Sequence, residues 1–279
     1  YPAMAAWMSE DKEKFPIRAV TMGAQQVRPL GRLAFFWHVG EIYNTLLSAV
    51  SRLTHLELEA EKRGINVFIV TSVCGGTGSG IFLDMAYLVR HVVNQSNIRG
   101  SSCYINGILA LPSVFPTVDP QGIESNAFAA LAELDYLMDK PSWAVDYGNP
   151  RVTGINFQAQ RPFNICYLID SRNENGQGLQ GLEEIAPMIA EAVYLQVSSQ
   201  VGDANASAFD NVSILGQSTV NVANDDLRPM AYSSLGTAAI NFPAEKIIDY
   251  SAHKLGQEMI TNDLLRPAGD DAAVTKVLD

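Results

Sequence analysis

The feature that most constrains this chain is a glycine run, C-G-G-T-G-S-G, at residues 74–80. It follows an apolar segment rich in β-branched residues at 66–73 and leads into a helical pattern at 81–93. Glycine leaves no side chain between backbone and ligand and reaches positive φ freely, so that successive N–H groups can face an anion. The positive end of the following helix dipole adds to this attraction. The run therefore predicts a phosphate-binding loop at a strand-to-helix junction.

The predicted phosphate contacts combine the backbone of the run with its two hydroxyls: Gly75, Gly76, Thr77, Gly78, Ser79 and Gly80. Two common phosphate motifs do not fit. A Walker A loop ends in a lysine and a hydroxyl residue, but the next lysine after the run is Lys140. The dinucleotide fingerprint needs another glycine spacing and an acidic residue about 20 positions further on, which residues 94–99 do not supply. A glycine-rich turn without a ligand is the alternative interpretation.

Composition excludes several classes of protein. The 279 residues are 47% hydrophobic, which suffices for the core of one or two domains. The net charge of -11 and the lack of a basic block argue against nucleic-acid binding. Three sparse cysteines indicate reduced core thiols, and no apolar run is long enough for a transmembrane segment, so we expect a cytoplasmic protein. Because the chain begins with Tyr1, we expect it to be a fragment.

Apolar strand patterns alternate with helical patterns along most of the chain. The expected strands cover residues 17–22, 66–73, 103–111 and 163–170. The expected helices cover residues 33–63, 81–95, 123–138, 182–201 and 244–265. A polar segment at 140–162 is expected to form an insertion that contains a hairpin. The alternation predicts an α/β fold with a mostly parallel sheet flanked by helices, which binds ligands at the carboxyl ends of its strands.

The spelling G-G-T-G-S-G resembles the nucleotide loop of the tubulin and FtsZ superfamily, which usually reads G-G-G-T-G-S/T-G. Cys74 replaces the first glycine of that pattern. The resemblance covers residues 22–239, starts after the superfamily's first nucleotide loop, and fits a divergent prokaryotic tubulin-like protein. It implies GTP or GDP with Mg²⁺ as ligands. It also implies a nucleotide-binding domain over residues 1–181, a core helix over 182–201, and a hydrolysis loop with the start of a second domain over 202–279.

The segment at residues 23–32 resembles the third nucleotide loop of the FtsZ branch, whose pattern is G-x-x-P-x-x-G-R-x-A. Pro29, Gly31 and Arg32 match the end of that pattern after a two-residue insertion. The resemblance implies that Gly31 and Arg32 approach the terminal phosphate. An ordinary proline and glycine turn before a helix is the alternative.

The stretch after the strand at 103–111 resembles the fifth loop of tubulins, which reads P-S-P-x-V-S-D and then V-E-P-Y-N-A. The resemblance implies that Asp119 and Glu124 accept hydrogen bonds from the ribose hydroxyls. Asn126 either contacts the base or caps the helix. For Glu124 the alternative is that its charge complements the dipole at a helix N-terminus.

The strand at 163–170 ends in I-D-S-R-N, where tubulins have I-D-N and use that asparagine to read guanine. Ser171 occupies the asparagine position, and Asn173 lies two residues further on. We assign Asn173 to the base contact, with simple turn formation as the alternative. The departure at Ser171 leaves both GTP and ATP open.

Residues 221–228, N-V-A-N-D-D-L-R, resemble the loop that carries the catalytic carboxylate of the superfamily. The FtsZ pattern N-x-D-x-x-D-x-R matches at Asn221 and Asp226, whereas Ala223 replaces its first aspartate. The tubulin pattern N-x-D-L-R instead fits a loop that contains Asp225 and Asp226. The resemblance implies that Asp226, Asp225 and Asn221 serve hydrolysis of the nucleotide on the next subunit. For the two aspartates the alternative is N-capping of a helix that starts directly after them.

Together these matches predict a GTP-binding protein that assembles head-to-tail with copies of itself into filaments, with GTP hydrolysis at the subunit interface. A head-to-tail contact of this kind makes open filaments unless it closes into a ring. The first alternative is a tubulin-like nucleotide-binding scaffold or regulatory protein with little or no hydrolysis. The second is an unrelated glycine-rich α/β enzyme, such as a nucleotide-dependent oxidoreductase, which would need a different glycine fingerprint.

Overall fold

The structure is a computed structural model. It describes residues 23–56, 65–96, 103–172, 176, 178–179, 181–197, 219–221, 227–229, 231–237 and 244–265. By compactness the chain divides into two units, Tyr1–Thr237 and Ala238–Asp279. The strand expected at 17–22 lies outside the described residues.

Helices and strands alternate along the first unit, as the sequence predicts. The strands are β1 (Ile65–Ser72), β2 (Cys103–Ala110), β3 (Ser142–Val145), β4 (Ile155–Gln158), β5 (Ile165–Ile169), β6 (Thr219–Asn221), β7 (Leu227–Pro229) and β8 (Tyr232–Ser233). The helices are α1 (Arg28–Leu56), α2 (Gly76–Gln95), α3 (Pro120–Asp139), α4 (Leu182–Val197) and α5 (Ala244–Met259). A short 3-10 helix covers Pro112–Val114.

Four strands form a sheet in the order β1-β2-β5-β8, and each neighbouring pair is parallel. Successive residues of a strand face opposite sides of a sheet, so β2 contributes to two cores. Ile105 and Leu109 of β2 pack in the larger apolar cluster, which contains residues of α1, α2 and α3. Ile108 and Ala110 pack in the smaller cluster, which contains residues of α4. The predicted α/β fold, with a mostly parallel sheet between helices, is confirmed.

The insertion predicted at 140–162 contains the antiparallel hairpin β3–β4. Tyr87 of α2 is fully buried and stacks on two rings of this hairpin. Its ring centroid lies 4.7 Å from that of Trp143 and 5.7 Å from that of Phe157. Offset stacking of this kind adds to the burial of apolar area, so the rings hold the hairpin against α2.

Two helices begin earlier than the sequence predicts. α1 starts at Arg28 instead of residue 33, because Pro29 falls in the first turn, where the missing N–H costs no hydrogen bond. α2 starts at Gly76 instead of residue 81, inside the glycine run. The low helix propensity of glycine is outweighed here by close backbone contacts between the first turns of α2 and the start of α1.

The antiparallel pair β6–β7 places Asn221 opposite Leu227. Because residues 227–229 are a strand, the helix considered after Asp226 is wrong, and so is the alternative that Asp225 and Asp226 cap it. The helix expected at 244–265 is confirmed as α5 followed by a π-helical segment, Ile260–Leu264. Across the described ranges, no helix has both the length and the apolar character needed to cross a bilayer.

His91 of α2 generates a prediction about pH. The side chain is 8% exposed, its Nε2 has no hydrogen-bond partner among the described residues, and burial lowers its pKa below 6.5. The unfolded chain therefore takes up a proton at a higher pH than the folded chain. Stability contributed by neutral His91 is lost as pH falls through 6.5 toward the lower folded pKa, by at most about 1.4 kcal/mol per pH unit.

We expect His91→Gln to flatten the decline in the free energy of unfolding between about pH 7.5 and pH 5.5, because glutamine does not titrate. Urea denaturation at both pH values measures the difference. The exposed His38→Gln variant is the control and should retain the wild-type decline. An identical pH dependence for His91→Gln and the wild type would show that His91 does not contribute.

Candidate functional site

The carboxyl ends of β1, β2 and β5 meet at one edge of the sheet. Pairing continues past the strand ends, since Val73 N donates to Ala110 O at 3.2 Å and Leu111 N donates to Ile169 O at 3.0 Å. A cleft of about 370 Å³ opens at this edge. Its walls are residues 24–26, 71–72 and 74–78 together with Phe115, Val118 and Ile123. The glycine run therefore lines a cleft at the edge where α/β sheets bind ligands. We call it the phosphate cleft.

The glycine run forms the start of a helix instead of a loop. Gly75 is the N-cap residue, with φ -87° and ψ 170°, and α2 begins at Gly76. No glycine at 75–80 has a positive φ, so the predicted use of left-handed glycine is wrong. The first N–H groups of a helix have no acceptor inside it and lie at the positive end of its dipole. A phosphate site here would therefore have to use the helix terminus.

Glycine is required in this region for close approach of two backbone segments. A Cβ on Gly76 would lie 2.5 Å from Val27 N, and a Cβ on Gly80 would lie 2.5 Å from Arg28 O. A Cβ on Gly31 would collide with Gly76 O. The start of α1 and the first turns of α2 therefore touch through backbone atoms. This contact requires glycine at position 31, and the predicted approach of Gly31 to the terminal phosphate stays a prediction.

The two hydroxyls of the run have different surroundings. Thr77 is exposed and lines the phosphate cleft. Ser79 is fully buried, and its Oγ donates a hydrogen bond to Gly75 O. Because a hydroxyl has one proton to donate, Ser79 secures the turn whereas Thr77 offers a donor to the cleft. Gly78 packs against the end of β1, where a Cβ would collide with Thr71 Oγ1.

Arg32, whose side chain is 26% exposed, forms an ion pair with the buried carboxylate of Asp84. Its Nε and Nη2 donate to Asp84 Oδ2 and Oδ1 at 3.0 and 3.2 Å, and Tyr147 Oη donates to Oδ1 at 2.8 Å. The guanidinium carbon of Arg32 is also 5.6 Å from the ring centroids of both Phe36 and Trp143. Burial raises the pKa of Asp84, and the positive charge of Arg32 opposes that rise. These contacts assign Arg32 to the neutralisation of Asp84.

Arg28 and Arg32 of α1 line a second cleft of about 1060 Å³, formed by α1, α2, α3 and the β3–β4 hairpin. Arg28 Nη1 donates to Glu133 Oε1 at 3.1 Å, and its Nη2 donates to Ser79 O at 3.1 Å. Neither arginine is among the residues that line the phosphate cleft. The backbone of Arg32 lies beside the glycine run, since a Cβ on Gly80 would be 3.4 Å from Arg32 N, but its side chain pairs with Asp84. Its predicted contact with the terminal phosphate stays a prediction.

Three residues predicted to contact the nucleoside, Asp119, Glu124 and Asn126, lie at the start of α3. Asp119 is the exposed N-cap residue of this helix, and Glu124 is also exposed. Asn126 points back toward the glycine run, where its Nδ2 donates to Gln26 O at 2.8 Å and to Cys74 O at 3.0 Å. The amide of Asn126 thus joins two walls of the phosphate cleft.

The remaining predicted site residues are only partly covered. Asn221 ends β6, opposite the first residue of β7. Asp225 and Asp226 belong to the connection between these strands and lie outside the described residues, as does Asn173. Their assignments stay predictions.

A polar group that the sequence analysis missed follows β5. Asp170 Oδ1 accepts hydrogen bonds from Ser113 Oγ at 2.7 Å and from Arg172 N at 3.3 Å. The bond from Ser113 lowers the pKa of Asp170, which keeps this exposed carboxylate ionised. An aspartate directly after an apolar strand was the signal that could have identified it. Asp170 ties the ends of β2 and β5 together beyond the sheet.

Comparison with known proteins decides the family. A family model described as tubulin like matches residues 1–261. The chain belongs to this tubulin-like family. No curated protein sequence and no solved structure gives a significant match to it.

The match of this tubulin-like chain spans every element of the first unit and the whole of α5. It therefore includes the glycine run, the start of α3 and the β6–β7 pair. The superfamily resemblance that rested on the glycine run is confirmed.

Arg32→Met is expected to lower the free energy of unfolding of the tubulin-like protein by about 3–5 kcal/mol, because Asp84 would lose its charge partner while buried. The double variant Arg32→Met/Asp84→Leu should recover most of this loss, since both charges are then absent. Chemical denaturation of both variants and the wild type tests the pair. A double variant no more stable than Arg32→Met would contradict this account.

Gly76→Ala is expected to lower the free energy of unfolding by about 1–3 kcal/mol, because its methyl group would press on the backbone of Val27. Gly75→Ala is the matched control: a Cβ on Gly75 would meet nothing within 4 Å, so only the poorer N-capping of alanine should count, a loss of at most about 1 kcal/mol. Urea midpoints of the two variants measure the difference. Equal midpoints would argue against the close contact at Gly76.

Proposed function

We propose that this chain is a GTP-binding protein that assembles head-to-tail into filaments and hydrolyses GTP at the subunit interface. The observation that carries the proposal is the free N-terminus of α2 at the phosphate cleft. Gly75 leaves open space in front of it, since a Cβ there would meet nothing within 4 Å. An anion can therefore approach the N–H groups of this terminus without a side chain in between.

Phosphate binding at this cleft would rely on backbone groups. The N–H groups of Gly75, Gly76 and Thr77 and the hydroxyl of Thr77 would be the donors to the phosphates. The described residues that line the cleft are all uncharged. Mg²⁺ would neutralise part of the charge on the phosphates, and it commonly binds through phosphate oxygens and water instead of a protein cage. This division of roles suits a chain of net charge -11.

The nucleoside would extend along the carboxyl edge of the sheet, away from the glycine run. Asp119 and Glu124 are exposed at the start of α3, where carboxylates can accept hydrogen bonds from ribose hydroxyls. Asn173, which follows β5, is our choice for the base contact. Ser171 stands where tubulins have the guanine-reading asparagine, so the preference for GTP over ATP is part of the proposal.

Hydrolysis would need a second copy of the chain. Asp226, with Asp225 and Asn221, comes from the β6–β7 pair and would orient the attacking water against the nucleotide of the neighbouring subunit. A site completed only by the next subunit couples hydrolysis to assembly, because the nucleotide of an isolated subunit has no such carboxylate beside it. Filaments of this kind would lie in the cytoplasm.

A nucleotide-binding scaffold with little or no hydrolysis is the second candidate. The observation that favours it is Ala223, which replaces the first aspartate of the FtsZ pattern. In this case the phosphate cleft binds nucleotide and the β6–β7 pair contributes no efficient catalytic group.

The deciding experiment measures GTP hydrolysis per subunit against protein concentration, with ATP in parallel. We expect the rate to rise above a critical concentration, and Asp226→Ala to lower it at least about 100-fold, as expected for loss of a group that acts on the reacting water. Asp139→Ala, which removes an exposed carboxylate of α3, is the control and should match the wild type.

The other outcomes are equally informative. GTP binding without turnover at any concentration would reject the GTPase and leave the scaffold. Turnover that is independent of concentration would reject a site shared between subunits. A preference for ATP would reject the proposed guanine specificity.

A further inference from the structure

The turn before α1 contains two adjacent residues in the left-handed region of the backbone. Gln25 has a φ of 43° and Gln26 a φ of 64°. Residues other than glycine adopt such values at a cost in free energy and keep them only where the surrounding structure holds them. The turn also lines the phosphate cleft. Whatever holds Gln25 and Gln26 therefore also shapes that cleft.

The contact that holds this turn comes from α3. Asn126 Nδ2 donates to Gln26 O at 2.8 Å and also to Cys74 O at 3.0 Å. Both acceptors are carbonyl oxygens, so the nitrogen of the amide has to face them. Cys74 directly precedes the N-cap of α2. One side chain therefore ties the strained turn to the glycine run.

A second contact joins α3 to Gln26. A Cβ on Gly122 would collide with Gln26 Oε1, so the side chain of Gln26 lies directly on the backbone of α3. The turn is closed by Val27 N, which donates to Ala24 O at 2.7 Å. The start of α3 thus contacts both the backbone carbonyl of Gln26, through Asn126, and the side chain of Gln26, at Gly122.

We propose that Asn126 is a positioning residue that holds the turn at 23–27 against the glycine run and so preorganises the phosphate cleft. This inference rests on the proposed function, because it takes the cleft to be a phosphate site. If the cleft were in its binding form for only a fraction of the time, its affinity for the ligand would be multiplied by that fraction. The amide of Asn126 acts on the ligand through the backbone of Gln26 and Cys74, without touching it.

The first readout is hydrogen exchange of the Val27 amide in the nucleotide-free protein. In the Asn126→Ala variant the Val27 amide should exchange about tenfold faster than in the wild type. A change of this size is expected when a hydrogen bond is lost. Asn126→Asp keeps the volume of the side chain but turns an acceptor toward both carbonyls, and it should have the same effect. Ser125→Ala is the control, since Ser125 Oγ donates within α3, to Gln121 O.

The second readout is the affinity for GDP, measured by calorimetry. Asn126→Ala should bind GDP about tenfold more weakly than the wild type, in step with the exchange of the Val27 amide. The Ser125→Ala control should bind like the wild type. Exchange in the amides of β2 should be the same in all variants, which distinguishes local release of the turn from general loss of stability.

Each result decides one part of the proposal. Faster exchange at Val27 together with weaker GDP binding supports it. Unchanged exchange in both Asn126 variants overturns the positioning role, whatever the affinity. Faster exchange with unchanged affinity overturns preorganisation. If the wild type binds no GDP, the proposed function fails along with the role in binding, whereas the exchange data still report whether Asn126 holds the turn.

Discussion

The phosphate cleft depends on direct backbone contact between the start of α1 and the first turns of α2. Gly31 lies against the carbonyl of Gly76, and Gly80 lies against the carbonyl of Arg28. Two helices approach this closely only where no Cβ separates them. The glycines therefore fix the position of the turn at 23–27 beside the N-terminus of α2.

The same contact determines which groups Arg28 and Arg32 of α1 bind. With the helix start held close to α2, Arg28 reaches Ser79 O and Arg32 reaches the buried carboxylate of Asp84. Breaking such a buried pair is costly because one charge is left without a partner. Both arginines are thus used inside the fold. A phosphate in the cleft would be attracted by the dipole and N–H groups of α2 rather than by these side chains.

The β3–β4 hairpin extends the same packing. Tyr147 follows β3 and donates to Asp84, while Trp143 stacks on Tyr87 and lies over the guanidinium of Arg32. An insertion that is polar in sequence is therefore attached to α2 by its rings, by the hydrogen bond to Asp84, and by hydrogen bonds from Tyr87 Oη to Gln160 O and from Arg90 Nη2 to Arg161 O. It closes one side of the larger cleft and leaves the phosphate cleft open at the sheet edge.

The sequence by itself determined the alternation of β1, β2 and β5 with α2, α3 and α4, the parallel sheet, the place of the glycine run at the end of β1 and the family. These features follow from local periodicity and from a specific run of residues, which neighbours along the chain suffice to express. The sequence alone could not show that Asn126 bonds to Gln26 and Cys74, or that Arg32 pairs with Asp84. These partners are far apart along the chain, and only the packing of α1, α2 and α3 brings them together. Tertiary structure likewise decided that the glycine run starts a helix, because close backbone contacts outweigh the low helix propensity of glycine.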